Sequence, residues 1–171
     1  MDFRDRIKRD PNGLEKLAEA IPGFSGYLER EQRRGADKLL REYLAEEIDG
    51  LGERLERIAT RWARAGQTGN LAHLEEISGR LGRAADRLRY ADYGYSGFFD
   101  LVKIDEEDLQ RFYEYDLSLQ AFIADIGEAI DELVKAEEDE VIVAIEELDD
   151  SIDALAEMID QRETVATDLA P

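Results

Sequence analysis

The fold is decided most clearly by residues 109–133, which read LQRFYEYDLSLQAFIADIGEAIDEL. Apolar residues recur along this stretch at alternating steps of three and four, the spacing that keeps side chains on one face of an α-helix. This face, or seam, comprises Leu109, Phe112, Asp116, Leu119, Ile123, Ile126, Ile130 and Leu133. Asp116 is its one charged member. The spacing predicts a helix over 105–135 that buries the seam against other helices.

Three further segments carry seams of the same spacing and predict helices over about 26–65, 70–92 and 138–162. Proline occurs only at positions 11, 22 and 171, so none of these segments is interrupted by proline. The short, glycine-containing segment 66–70 predicts an antiparallel hairpin between the first two helices, with Asn70 capping the second. Residues 136–140 contain neither Gly nor Pro, and the eight-residue step across them allows either a turn or a continuous helix.

Together the seams predict an all-α fold, namely an elongated antiparallel helical bundle or coiled coil of three to four long helices. Residues 26–171 are predicted to form a single bundle, because no linker rich in Pro, Gly or Ser divides them. Residues 1–25 are predicted to form a short helix and turn that pack on the bundle. The alternative for this N-terminal segment is a membrane-surface anchor, since basic residues accompany Phe3 and Ile7 there.

The chain is strongly acidic, because its 171 residues include 42 Asp or Glu against 22 Lys or Arg, a net charge of −20. The excess is confined to the second half: residues 1–95 contain 18 acidic and 18 basic residues, whereas residues 96–171 contain 24 and 4. Such a surface repels nucleic-acid phosphates, so nucleic acid is excluded as a partner and a basic protein is favoured. Two arginine rows are predicted to pair with the acidic helices: Arg54, Arg57, Arg61 and Arg64, and Arg80, Arg83 and Arg87.

Motifs that carry chemistry are scarce. The sequence has no cysteine, which excludes disulfides, thiolate metal sites and cysteine nucleophiles. His73 is the one histidine, whereas a di-iron bundle needs a Glu-x-x-His motif on each of two helices. The acidic clusters lack the loop spacing that gathers oxygens around calcium. We therefore expect no catalytic residue, no metal site, no cofactor and no enzymatic activity.

Asp116 is the exception among the acidic residues, because it lies on an apolar seam. An unpaired carboxylate there would be costly, so Asp116 is expected to meet an arginine or to face a water-filled gap. The predicted role of this buried polar residue is to fix the register of the helices.

Aromatic residues cluster between the second and third predicted helices, where eight of the fourteen lie within residues 90–115. Exposed tyrosines at such a bend are suitable anchors for a protein partner. We expect a candidate interaction site there, formed by Tyr90, Tyr93, Tyr95, Phe98 and Phe99.

The function predicted from these observations is that of a non-enzymatic helical interaction or scaffold protein that acts through protein–protein contacts. A second copy of the chain is a candidate partner, because a heptad seam does not specify whether its complement lies in the same chain. Two alternatives stay open: a membrane-surface-associated coiled-coil regulator that uses the N-terminal segment, and a carboxylate-based cation-binding protein. A cytoplasmic location is expected, since the N-terminus lacks a secretory signal and no segment approaches the roughly 20 apolar residues of a membrane span.

Overall fold

The computed structural model describes residues 18, 19, 21, 33–91, 106–137 and 139–168. Within these residues the chain is all-helical and contains no strand. The four helices are α1 (Arg33–Arg64), α2 (Leu71–Arg89), α3 (Glu106–Lys135) and α4 (Val141–Asp168). The all-α prediction is confirmed. Most of the N-terminal segment predicted to pack on the bundle, and the predicted start of the first helix near residue 26, lie outside the described residues.

Helices α1 and α2 form the predicted antiparallel hairpin. Gly66, two residues after the end of α1, has a φ of +79°, a left-handed backbone conformation that residues with a Cβ rarely adopt. Asn70 stands directly before α2, but its side chain makes no capping hydrogen bond, so the predicted Asn cap is wrong. The physical reason is its backbone conformation, since φ and ψ of −112° and 6° differ from the extended values that aim a capping side chain at the first turn.

Helices α3 and α4 form a second hairpin. α3 ends at Lys135 and α4 begins at Val141, and between them the backbone N–H groups of Glu140 and Val141 both donate to the carbonyl of Glu137, so the helix does not continue through this segment. α4 ends at Asp168, six residues beyond the predicted end at 162. The difference arises because Arg162 and the half-buried Val165 continue the inward face of α4, whereas the apolar seam by itself stops at Ile159.

The two hairpins lie side by side and share one apolar core. α1 packs beside α3, and α2 packs beside α4. Arg54 of α1 donates to the carbonyl of Gly127 in α3 at 2.9 Å, and the Gln120 amide lies 3.3 Å from the Tyr43 hydroxyl, so α1 and α3 run in the same direction. The core is lined by the predicted seams, including Leu44, Ile48, Leu55, Leu74, Ile77, Leu81, Leu119, Ile126, Leu148 and Leu155, each nearly or fully inaccessible to solvent.

The arrangement gives the bundle two different ends. The loop end holds both hairpin turns, at 65–70 and 136–140. The opposite end holds the first turns of α1 and α3 and the last turns of α2 and α4. Across the described residues, no helix is both long enough and apolar enough to cross a bilayer.

Candidate functional site

Four charged residues are buried together at the end of the bundle opposite the loops, and none of them is more than 2% exposed as a whole residue. Asp37 and Arg41 lie on α1, Asp116 on α3 and Arg162 on α4. We call these four residues the ionic cluster. Their formal charges cancel, so the cluster buries two ion pairs rather than an excess of one sign.

Arg162 connects the two carboxylates of the ionic cluster. Its Nε donates to Asp116 Oδ1 at 2.6 Å, and its Nη2 donates to Asp116 Oδ2 at 2.9 Å. The same Nη2 donates to Asp37 Oδ1 at 2.8 Å, so α4 is joined to both α3 and α1. The guanidinium also lies over the ring of Phe112, 4.6 Å from its centroid, which adds a cation–π contact.

Arg41 extends the cluster to α2. Its Nε donates to Asp37 Oδ2 at 2.8 Å, and its Nη1 donates to the carbonyls of Leu88 and Arg89 at 3.0 and 3.2 Å. These carbonyls belong to the last turn of α2, where backbone acceptors lack helical partners and a cation is favourable. The ionic cluster therefore connects all four helices at this end.

The chemistry open to the cluster is limited, because each of its four carboxylate oxygens already accepts a hydrogen bond from an arginine. Burial raises the pKa of the Asp116 carboxyl, and the charge and hydrogen bonds of Arg162 oppose that rise. Neither carboxylate is placed to act as a general base or a metal ligand. The arrangement suits a structural role.

Tyr115 lies beside the cluster and adds a neutral hydrogen bond. Its hydroxyl donates to the carbonyl of Met158 at 2.6 Å, which joins α3 to α4 one turn away from Arg162. Burial raises the pKa of this hydroxyl above its ordinary value, and the negative charge of Asp116 acts in the same direction.

The structure therefore places Asp116 beside an arginine, one of the two surroundings expected from its seam position. Its role in helix register stays a prediction. Sequence reasoning missed Asp37, Arg41 and Arg162 as its companions. The available signals were the i, i+4 spacing of Asp37 and Arg41 and the position of Arg162 three residues after the last apolar residue of the α4 seam.

The predicted aromatic site is only partly described. Tyr90 follows α2 directly and is 69% exposed, whereas Tyr93, Tyr95, Phe98 and Phe99 lie outside the described residues. Phe112 and Tyr113, from the same sequence cluster, are buried and pack edge to face with ring centroids 6.2 Å apart. The interaction role of the bend stays a prediction that rests on sequence.

The arginine rows divide into paired and unpaired members. Arg54 pairs with Asp131, Arg80 with both Asp149 and Asp153, and Arg87 with Asp160, so these arginines connect the first hairpin to the acidic second one. Among the described residues, Arg57 forms an ion pair only with Glu53 of its own helix, at 3.4 Å. Toward the loop end, Arg61 and Arg64 are exposed and form no ion pair within the described part of the chain.

Exposed apolar side chains gather at the loop end. Val134, Ile142 and Val143 are 43%, 58% and 53% exposed, although each is a large aliphatic residue. A groove of about 830 Å³ runs between the two hairpin turns there. Its lining includes Arg61, Trp62 and Gly66 from the first hairpin and Val134 and Ile142 from the second.

Among the described residues, no three His, Asp or Glu side chains are gathered around one point. The Nε2 atom of His73 lies 3.6 Å from Asp149 Oδ2, and Asp149 also pairs with Arg80. His73 thus contacts the ion pairs that connect the two hairpins.

Comparison of the chain with protein-family models, with curated proteins and with solved structures found no match in any of the three.

Proposed function

We propose that the protein is a non-enzymatic helical interaction or scaffold protein, and that the loop end of the bundle is a surface through which it binds other proteins. The observation that carries this proposal is that Val134 and Ile142, two exposed aliphatic side chains from different helices, line one groove at the loop end together with Trp62. Single exposed apolar residues are ordinary, but a contiguous group rimmed by charged side chains is typical of a protein interface.

The types of residue at this end support the same proposal. Trp and Arg are the residues most often responsible for the binding energy of interfaces, and Trp62 and Arg61 line the groove next to each other. A groove between helices is also a common receptor for an amphipathic helix, whose apolar face fills it.

The absence of enzymatic activity belongs to this proposal. In its favour, the buried carboxylates of the ionic cluster are occupied by arginines and offer no free acid or base. The proposal also includes an elongated coiled-coil form, which rests on the seams, and a cytoplasmic location, which rests on the N-terminal sequence. The aromatic bend is proposed as a second contact surface, of which Tyr90 is the exposed, described member.

The membrane-surface and cation-binding alternatives are less well supported. The first depends on residues 1–24, most of which the structure does not describe. The second requires carboxylates gathered around a cation, and the described residues hold no such group.

Site-specific photo-crosslinking in cells that express the protein would test the proposal. A photoreactive amino acid at Ile142 should form discrete adducts with protein, whereas the same group at Ala124, an exposed position on α3, should form few. Equal labelling at both positions, or none at either, would contradict the proposal. The mass of each adduct would identify the bound protein.

A further inference from the structure

The two hairpins do not end at the same level, which leaves one face of α1 uncovered. Leu51 Cδ2 lies 3.5 Å from the position that a Cβ on Gly127 would occupy, so these residues of α1 and α3 are level with each other. α3 ends eight residues after Gly127, whereas α1 continues for five residues past the corresponding point. At the 1.5 Å rise of an α-helix, α1 therefore extends roughly 8 Å beyond α3.

The uncovered part of α1 continues its apolar seam. Leu55 and Ile58 are buried, but the next seam residue, Trp62, is only half-buried, and Ala65 after it is exposed. Trp62 faces the groove whose other wall carries Val134 and Ile142. Apolar surface thus lies on both sides of a groove that no described segment of the chain fills.

Charges of opposite sign flank this apolar surface. On the α1 side, Arg61 and Arg64 are exposed and unpaired within the described residues. On the other side, the turn between α3 and α4 exposes Glu137, Asp139 and Glu140, which also form no ion pair there. We call the two arginines, the three acidic residues and the apolar residues Trp62, Val134 and Ile142 the loop-end patch.

A surface with cations on one side and anions on the other is complementary to itself. When two such surfaces meet around a two-fold axis, the basic side of each faces the acidic side of the other, and the apolar middle of each is covered. We propose that the loop-end patch binds a second copy of this chain in this way, forming an end-to-end dimer. This inference rests on the proposed interaction function and names its partner.

The size of the patch sets the expected strength of the contact. Four helices of about 10 Å diameter present an end of roughly 400 Å², about half of the ~800 Å² that each partner buries in a stable interface. The charge of −20 on each copy adds long-range repulsion. The dimer is therefore weak and depends on protein concentration, with salt at about 0.15 M needed to screen the repulsion beyond ~8 Å.

Sedimentation velocity of three variants over a range of concentrations tests the proposal. Arg61→Glu and Glu140→Arg each place like charges opposite one another twice in a two-fold dimer, so each is expected to weaken self-association by about tenfold or more. An equimolar mixture of the two restores opposite charges at both contacts and should form heterodimers about as strongly as the unmodified chain. Arg83→Glu changes the net charge as Arg61→Glu does, but on an exposed α2 position away from the patch, and should leave association nearly unchanged.

Circular dichroism of each variant would verify that these exposed substitutions leave the helices intact. Sedimentation of the unmodified chain as a monomer at every concentration would overturn the dimer, and so would a mixture that fails to associate while the unmodified chain does. Neither result would overturn the interaction function, because photo-crosslinking at Ile142 detects binding of any other protein independently of self-association. Absence of both dimer and adducts would overturn both proposals.

Discussion

At the scale of single residues, we expect substitutions in the ionic cluster to change the stability of the fold more than substitutions in the exposed ion pairs. When a buried guanidinium that donates to two carboxylates is removed, both carboxylates lose a hydrogen-bond donor that water does not replace. When one partner of an exposed ion pair is removed, water hydrates the other. Arg162 and Arg87 illustrate the contrast, because both pair with aspartates on another helix, but Arg162 is 1% exposed and Arg87 is 41% exposed.

Arg162→Met is predicted to lower the free energy of unfolding by about 3–5 kcal/mol, because Asp116 loses its arginine and the buried cluster keeps one uncompensated negative charge, while Asp37 is still paired with Arg41. Arg87→Met, the matched control, should cost less than about 1 kcal/mol. Urea unfolding followed by circular dichroism measures both. Similar losses in the two variants would show that the cluster is not the main polar contribution to stability.

Tyr115 gives the stability a predicted dependence on alkaline pH. Because burial raises the pKa of its hydroxyl, the folded state keeps the proton where the unfolded chain, with a pKa near 10, releases it. Its contribution is complete below the unfolded pKa and declines as the pH rises through 10 toward the folded value. Urea midpoints measured between about pH 8 and 11 should fall more steeply for the unmodified protein than for Tyr115→Phe; parallel curves would contradict the assignment.

The sequence shows why Asp116 can be predicted and its companions cannot. A charged residue in an otherwise apolar seam is visible in one helix by itself. Asp37 and Arg162 are 125 residues apart, and only the assembly of the four helices into one bundle brings them together. Their pairing is a property of tertiary structure that helical periodicity does not encode.

At the scale of helices and turns, the apolar period predicted the existence of all four helices, and the structure differs mainly at their ends. The end of α4 could not be predicted from apolar residues, because its last inward-facing turn uses Arg162. The turn at 136–140 has no glycine or proline to mark it. Asn70 is a residue type that often caps helices, but its φ and ψ do not aim its side chain at the first turn of α2.

Gly66 is the turn position where sequence and geometry agree, so its replacement should be costly. Gly66→Ala is predicted to destabilise the protein by about 1–2 kcal/mol, since an L-residue is strained in the left-handed conformation. Nothing lies within 4 Å of the added Cβ, so the loss would come from backbone strain alone. Gly69→Ala also meets no neighbour but has no positive φ, and it should be neutral or slightly stabilising in the same thermal unfolding assay.

At the scale of the whole molecule, the acidic residues behind the net charge of −20 differ in their surroundings. Part of the acidic excess pairs with arginines of the first hairpin, as Asp131, Asp149 and Asp160 do. Ion pairs between the neutral first half of the chain and its acidic second half are consistent with the division of charge along the sequence. The loop-end patch does not follow from the sequence, because it depends on how far α1 extends past α3, which no residue pattern in either helix specifies.

The most direct test of the loop-end patch as a self-association surface is a dilution series followed by NMR of the methyl groups and the Trp62 indole. On dilution from millimolar to micromolar protein, the signals of Trp62, Val134 and Ile142 should shift together, while those of Ile123 and Ile126 in the core should stay unchanged. Signals that are independent of concentration throughout, or shifts confined to another surface such as the exposed face of α3, would contradict the account.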